Sequence, residues 1–135
     1  MRLILIILIS VLLYSKSDER WKNTPAEIKD ISFVGNDTIL SLDLLSLNPD
    51  FKPGQNSYFL NKNKKIRRIK ISGKTKVLNC GLGKDENETT ADIEIPINEF
   101  INNLKGSLSV KDGVVIYYFD IENNVANCIY EQCLP

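Results

Sequence analysis

The sequence predicts an α+β protein, a mainly antiparallel sheet of six or seven strands with one short amphipathic helix at about residues 97–105, following an N-terminal signal helix. Short apolar runs with two-residue alternation recur along the chain, bounded by Gly, Asn, Asp and Pro, as strands and their turns require. Only Ile97, Phe100, Ile101 and Leu104 recur at the i, i+3, i+4, i+7 spacing of a helix face in the mature region. The first apolar run of the chain, Leu3 to Leu13, shows neither period.

That first run follows the positive Met1-Arg2 and is apolar except for Ser10. As a helix it would reach roughly 16 Å, against about 30 Å for a bilayer core. A basic residue, a short apolar core and then small polar residues read as a secretory signal peptide over residues 1–17, with cleavage after Ser15 or Ser17. The alternative is an uncleaved signal anchor, with Tyr14 at the interface and Lys16 and Arg20 near the head groups. The expected location is therefore secreted or periplasmic, or else membrane-anchored, with membrane contact only through residues 1–17.

Residues 18–30 read as a polar lead-in, with Pro25 a boundary and Trp21 a lid on the edge of a single mainly β domain over residues 31–135. In that domain Ile31–Val34 and Thr38–Leu42 flank Gly35-Asn36-Asp37, a hairpin pattern. A helix over Thr38 to Leu47 competes, since Leu40, Leu44 and Leu47 share a helical face. Asn48 to Gly54 is a break rich in Pro, Tyr58-Phe-Leu60 a short apolar piece, and Asn61 to Lys65 a turn. Ile66, Ile69 and Ile71 mark a half-buried strand, Gly73-Lys74 a turn, and Val77 to Cys80 the return. Ala91 to Ile95 alternates, with Ile93 and Ile95 inward, and Pro96 suits the first turn of the helix that Gly106 is expected to stop. A short strand over Ser107–Val110, a turn at Lys111 to Gly113 and the apolar strand Val114–Ile121 follow. That last strand is apolar on both faces and is expected to lie centrally. Glu122-Asn-Asn124 then turns the chain into Val125–Glu131. A small sandwich or barrel without a true helix is the alternative architecture.

The 17 basic and 17 acidic residues balance to zero net charge, which argues against a bulk electrostatic hold on nucleic acid. The charges are blocked, however: between Asp50 and Asp85 every charged residue is basic, and Asp85 to Glu99 carries only acids. The basic block has no aromatic residue between Ile66 and Lys84, so it lacks a stacking platform for single strands. Opposed strands pairing the two blocks, or a basic face for an acidic partner, are the readings that remain.

With no histidine, the commonest acyl-transfer and metal-site arrangements are excluded. No catalytic residue, metal ligand or cofactor is expected. Asp85-x-Asn87-Glu88 lacks the order of a calcium loop, and the Gly81 and Gly83 region lacks phosphate-loop spacing. Asp120, set between Phe119 and Ile121, needs a donor such as a tyrosine hydroxyl if it is buried. Asn36-Asp-Thr38 and Asn87-Glu-Thr89 match the glycosylation acceptor pattern. Three cysteines, Cys80, Cys128 and Cys133, suggest a disulfide in an oxidising compartment, from Cys80 to one of the other two, with one thiol left over.

These observations point to a small exported protein without enzymatic activity that binds another protein with an acidic surface, such as an inhibitor or toxin-neutralising protein of the cell envelope. The candidate contacts are Lys65, Arg68 and Lys70, with Tyr58, Tyr117 and Tyr118 as aromatic anchors. A small-ligand pocket lined by Tyr117, Phe119 or Tyr130 is the second reading, and an enzyme built on carboxylates the third.

Overall fold

The computed structural model describes residues 20–50, 52, 58–62, 64–82, 89–111 and 113–131. The segment 1–17 expected to be a signal peptide, Asn87 of the second glycosylation-pattern tripeptide, and Cys133 lie outside them.

The alternating pattern around Gly35 folds as expected, with β1 (Arg20–Val34) and β2 (Asp37–Leu44) in an antiparallel hairpin. Gly35 has φ 62°, a left-handed value that its missing Cβ permits and a tight hairpin loop needs. Strand pairing along residues 37–44 displaces the competing helix, because Leu40 and Leu42 then point into one core together. Residues 20–30 are not a lead-in but the first part of β1. A register shift between Trp21 and Thr24 breaks the alternation there, which hides the strand although Ala26 and Ile28 are buried.

The segment after β2 forms a small ribbon of β3 (Ser46–Leu47) and β4 (Phe59–Leu60). Leu45 N–H donates to the Pro25 carbonyl at 2.9 Å and ties this ribbon to β1. The chain then enters β5 (Ile66–Leu82), which pairs with β2 through residues 66–71 and with β6 (Thr89–Ile95) through residues 77–82.

Gly73-Lys74 therefore does not reverse the chain: it is a bend inside one long strand. Ser72 N–H donates to Thr75 Oγ1 at 3.0 Å, Lys74 N–H to Ser72 Oγ at 3.2 Å, and the Thr75 hydroxyl to the Ala126 carbonyl at 2.6 Å. These side-chain bonds replace ladder bonds lost where the register with β8 (Val125–Tyr130) jumps between Ile71 and Lys76.

Pro96 leads into α1 (Ile97–Leu108), whose Phe100 and Leu104 are buried as their spacing predicts. The helix runs through Gly106 to Leu108, so residues 107–108 are helical and the expected strand over 107–110 is absent. A single glycine near a helix end costs only about 1 kcal/mol. Ile93, expected inward, is 50% exposed because β6 is the outermost strand of the sheet.

β7 (Ile116–Glu122) lies between β1 and β8, the central position its two apolar faces suggest. Asn123 and Asn124, both at positive φ (52° and 61°), make the two-residue turn into β8 in the pattern of a type I′ hairpin.

The hydrogen-bonded order is β2-β1-β7-β8-β5-β6, and β2 also pairs with β5. The architecture is thus a mixed sheet in which five strands close a barrel, with one short helix. Most of its pairings are antiparallel, as expected, but β5 and β8 run parallel, which makes the sheet mixed and closes it. Leu42, Ile69, Phe119 and Ile129 from four barrel strands fill the interior, joined by Phe100 of α1. Thr75→Val keeps the shape of a buried side chain and removes two of its hydrogen bonds. It should lower stability by about 1–3 kcal/mol, read in urea as a lower midpoint at unchanged slope.

Candidate functional site

Side chains that alternate outward from β1, β7 and β8 form the most organised exposed surface. Tyr118 and Tyr130 face each other across the β7–β8 ladder, their rings stacked with centroids 5.8 Å apart and planes 15° apart. The β3–β4 ribbon adds Phe59, whose ring meets Tyr118 at 6.5 Å and 63°, and Tyr58, which meets Phe59 at 4.9 Å and 87°. Four aromatic residues thus make a row from the ribbon to β8.

A polar group closes one end of the row. The register shift in β1 holds Asn23 at φ 49°, an uncommon conformation for a residue with a side chain. Its N–H donates to Asp120 Oδ1 at 2.8 Å, and its own Oδ1 accepts the Tyr130 hydroxyl at 2.6 Å. The same hydroxyl lies 3.4 Å from Asp120 Oδ1. Asp120 does meet a tyrosine hydroxyl, as its position between two apolar residues suggested, and the tyrosine is Tyr130. Partial burial, then the Asp120 carboxylate and its hydrogen bond, push the Tyr130 phenol far above the ordinary tyrosine range. Burial, then Tyr58, raises Tyr118 as well.

The expected contact residues do not form one patch. Tyr58 and Tyr118 belong to the row. Tyr117 alternates the other way and lies edge-on to Phe100 of α1 at 5.4 Å, where burial, then Glu131, raises its phenol. Arg68 and Lys70 are on the outer face of β5, beside Ser41 and Ile39 of β2, with Lys65 exposed just before the strand. Lys70 is ion-paired with Asp37 at 3.0 Å. Lys70 is level with Val125 and Leu78 with Tyr130, so the basic set and the aromatic row lie toward opposite ends of β8. Tyr117, Phe119 and Tyr130 do not line a common cavity: Phe119 is fully buried in the barrel and Tyr130 points outward onto Tyr118.

The disulfide expectation is corrected at Cys128, which is a free thiol. It is level with Lys76 of β5, whereas Cys80 is four residues further along the same strand. At about 3.3 Å per residue that offset exceeds the span of a disulfide. Burial, then Asp120, raises the Cys128 thiol, so it is held in its unreactive protonated form.

Three features had not been singled out in the sequence. Asn23 fell within the apparent lead-in, and Phe59 was only part of a short apolar piece. Asp43 is 4% exposed, accepts Asn61 Nδ2 at 2.6 Å on one oxygen, and has no hydrogen-bond partner on the other. Its signal was a carboxylate set between Leu42 and Leu44 in an alternating run. Two open clefts, of about 510 and 530 Å³, flank the two ends of α1. The first is bordered by Asn36, Ser72 and Asn98 and the second by Val110, Val114 and Tyr117. Among the described residues no group of three or more His, Cys, Asp or Glu side chains is placed to hold a metal ion, and no helix is long and apolar enough to cross a membrane.

No family model, curated protein or solved structure matches the chain.

A phenol whose pKa is higher in the folded than in the unfolded chain keeps its full contribution below the unfolded value, about 10. It loses that contribution as pH rises further, because the unfolded state then binds fewer protons than the folded state. Stability should therefore be level through pH 9 and fall above pH 10. Tyr130→Phe should be less stable by about 1 kcal/mol at pH 8 for its lost hydrogen bond, and should decline less steeply than the parent between pH 10 and 11. Urea midpoints across that range test both statements.

Proposed function

We propose that the chain is a small exported protein that acts by binding another protein, without enzymatic activity, and that the row Tyr58, Phe59, Tyr118 and Tyr130 is its contact surface. The observation that carries this reading is the row itself: four aromatic side chains, three of them from β4, β7 and β8 and Tyr58 just before β4, partly exposed and fixed by ring contacts and by the hydrogen bonds of Asn23 to Tyr130 and Asp120. Tyrosines bury large amphipathic area at small entropic cost, and such clusters dominate the energetics of protein interfaces.

The connectivity supports a binding role at the level of architecture. Taken in chain order, the barrel strands stand first-second-third-fifth-fourth, with a helix between the third and fourth. This is the strand order of a five-stranded Greek-key barrel of the OB type, an architecture whose strand face and loops bind oligonucleotides and oligosaccharides. Fold-level analogy does not choose the ligand. Export rests on the apolar segment Leu3–Leu13 and its short length.

The basic set Lys65, Arg68 and Lys70 offers a second, separate surface for an acidic partner, weakened by the Lys70–Asp37 pair. Capture of partners from the envelope and soluble fractions of the source cell separates the two surfaces. With the aromatic row as the contact, Tyr118→Ala with Phe59→Ser should reduce a stoichiometric partner at least tenfold, and the reversal K65E/R68E/K70E should leave it within twofold. The opposite pattern would move the contact to β5, and the absence of any partner at micromolar bait would overturn the protein-binding reading.

A further inference from the structure

We propose that the aromatic row docks an extended, proline-containing segment of its partner that carries a basic residue, the prolines lying across Phe59, Tyr118 and Tyr130 and the basic group reaching Asp120. This deepens the binding reading above and rests on it.

Four observations select this partner. First, the barrel strands under the row offer no edge: β1, β7 and β8 each pair on both sides, so a peptide crossing them gains no backbone ladder there and is held by side chains. That suits the polyproline II conformation, which needs no partner strand. Second, the rings are not coplanar. Phe59 stands at 63° to Tyr118 and Tyr58 at 87° to Phe59, so the surface is ridged rather than flat. A planar base has little to lie on across the tilted Phe59–Tyr118 pair, whereas a pyrrolidine ring fits the furrow between those two rings and a second can lie against the nearly parallel Tyr118 and Tyr130.

Third, the length fits a short motif. From Phe59 through Tyr118 to Tyr130 the ring centres span at most about 12 Å, the rise of about four polyproline II residues at 3.1 Å each. The carbonyls of such a segment have no internal hydrogen bonds and require donors. The Tyr118 hydroxyl makes no hydrogen bond to any described residue, and a phenol is protonated, and so a donor, at neutral pH. Fourth, the charge at the end of the row is negative. Asp120 has no ion-pair partner among the described residues, and its Oδ1 is already occupied by the Asn23 N–H. An arginine can stack on Tyr130 and bond the remaining carboxylate oxygen.

The test is fluorescence anisotropy of the full chain with labelled peptides of about ten residues that hold two Pro-x-x-Pro turns and one arginine. Binding should be at least tenfold tighter than to the same peptide with its prolines replaced by glycine. Phe59→Ser, which lies on the ribbon outside the barrel, and Tyr118→Ala should each weaken it at least fivefold. Asp120→Asn should weaken the arginine peptide and not its glutamine counterpart. Failure of every proline peptide to bind at millimolar concentration would overturn the proposal, as would binding indifferent to Phe59→Ser and Tyr118→Ala. Should the captured partner still depend on Tyr118 in that event, the binding reading stands and only the proline segment falls. Loss of both results would remove the two together.

Discussion

The structure depends on how one strand, β5, divides its hydrogen bonds. Its first part pairs with β2, its last part with β6, and its middle with β8 in the parallel sense. A straight strand cannot face these neighbours in turn, so the chain bends at Ser72–Thr75. Thr75 makes the bend affordable in hydrogen-bond terms, because its buried hydroxyl both accepts from Ser72 and donates to Ala126. Without the β5–β8 ladder the sheet would stay open, and Leu42, Ile69, Phe119 and Ile129 would lack a common interior.

Barrel closure also decides what the outer surface presents. With the inward positions committed to packing, the alternate positions of β1, β7 and β8 are turned outward together, and register brings side chains far apart in sequence into contact. Asn23 meets Asp120 across 97 residues of chain and Tyr130 across 107. The β3–β4 ribbon then covers part of the same side, placing Phe59 against Tyr118. Asp43, buried with one oxygen unmatched, is the unfavourable element of this arrangement. Burying a carboxylate without full hydrogen bonding costs several kcal/mol in an apolar setting, and the packing of β2 has to offset it.

The elements themselves were largely legible in the sequence. The hairpin at Gly35, the turn at Asn123–Asn124, the alternation of Ile69 and Ile71 and the apolar spacing of Phe100 and Leu104 all reflect local rules, and each appears where those rules place it. What local rules do not contain is pairing. The parallel ladder between β5 and β8 has no signature in either strand, so the barrel was hidden and the Gly73 bend looked like a turn. Arg20 to Asp30 was missed for a related reason: its alternation is interrupted by the shift at Lys22–Asn23, and charged residues fill its outward positions. For the candidate site, Tyr58 and Tyr118 were singled out in the sequence and both fall in the aromatic row, but Tyr117 was not separable from Tyr118 until the parity of β7 was fixed by its neighbours. The basic residues Arg68 and Lys70 stood out by composition, while their distance from the tyrosines follows only from the barrel.

The strand that completes the ring is also the last of its members to be synthesised. While the ribosome is still adding residues before Val125, β5 and β7 each lack a neighbour, and the growing chain has no way to seal its interior. Long-range closure of this kind is slow compared with helix or hairpin formation, and it cannot be completed before residues 125–130 have been made. The nascent polypeptide therefore has no closed core until β8 has emerged.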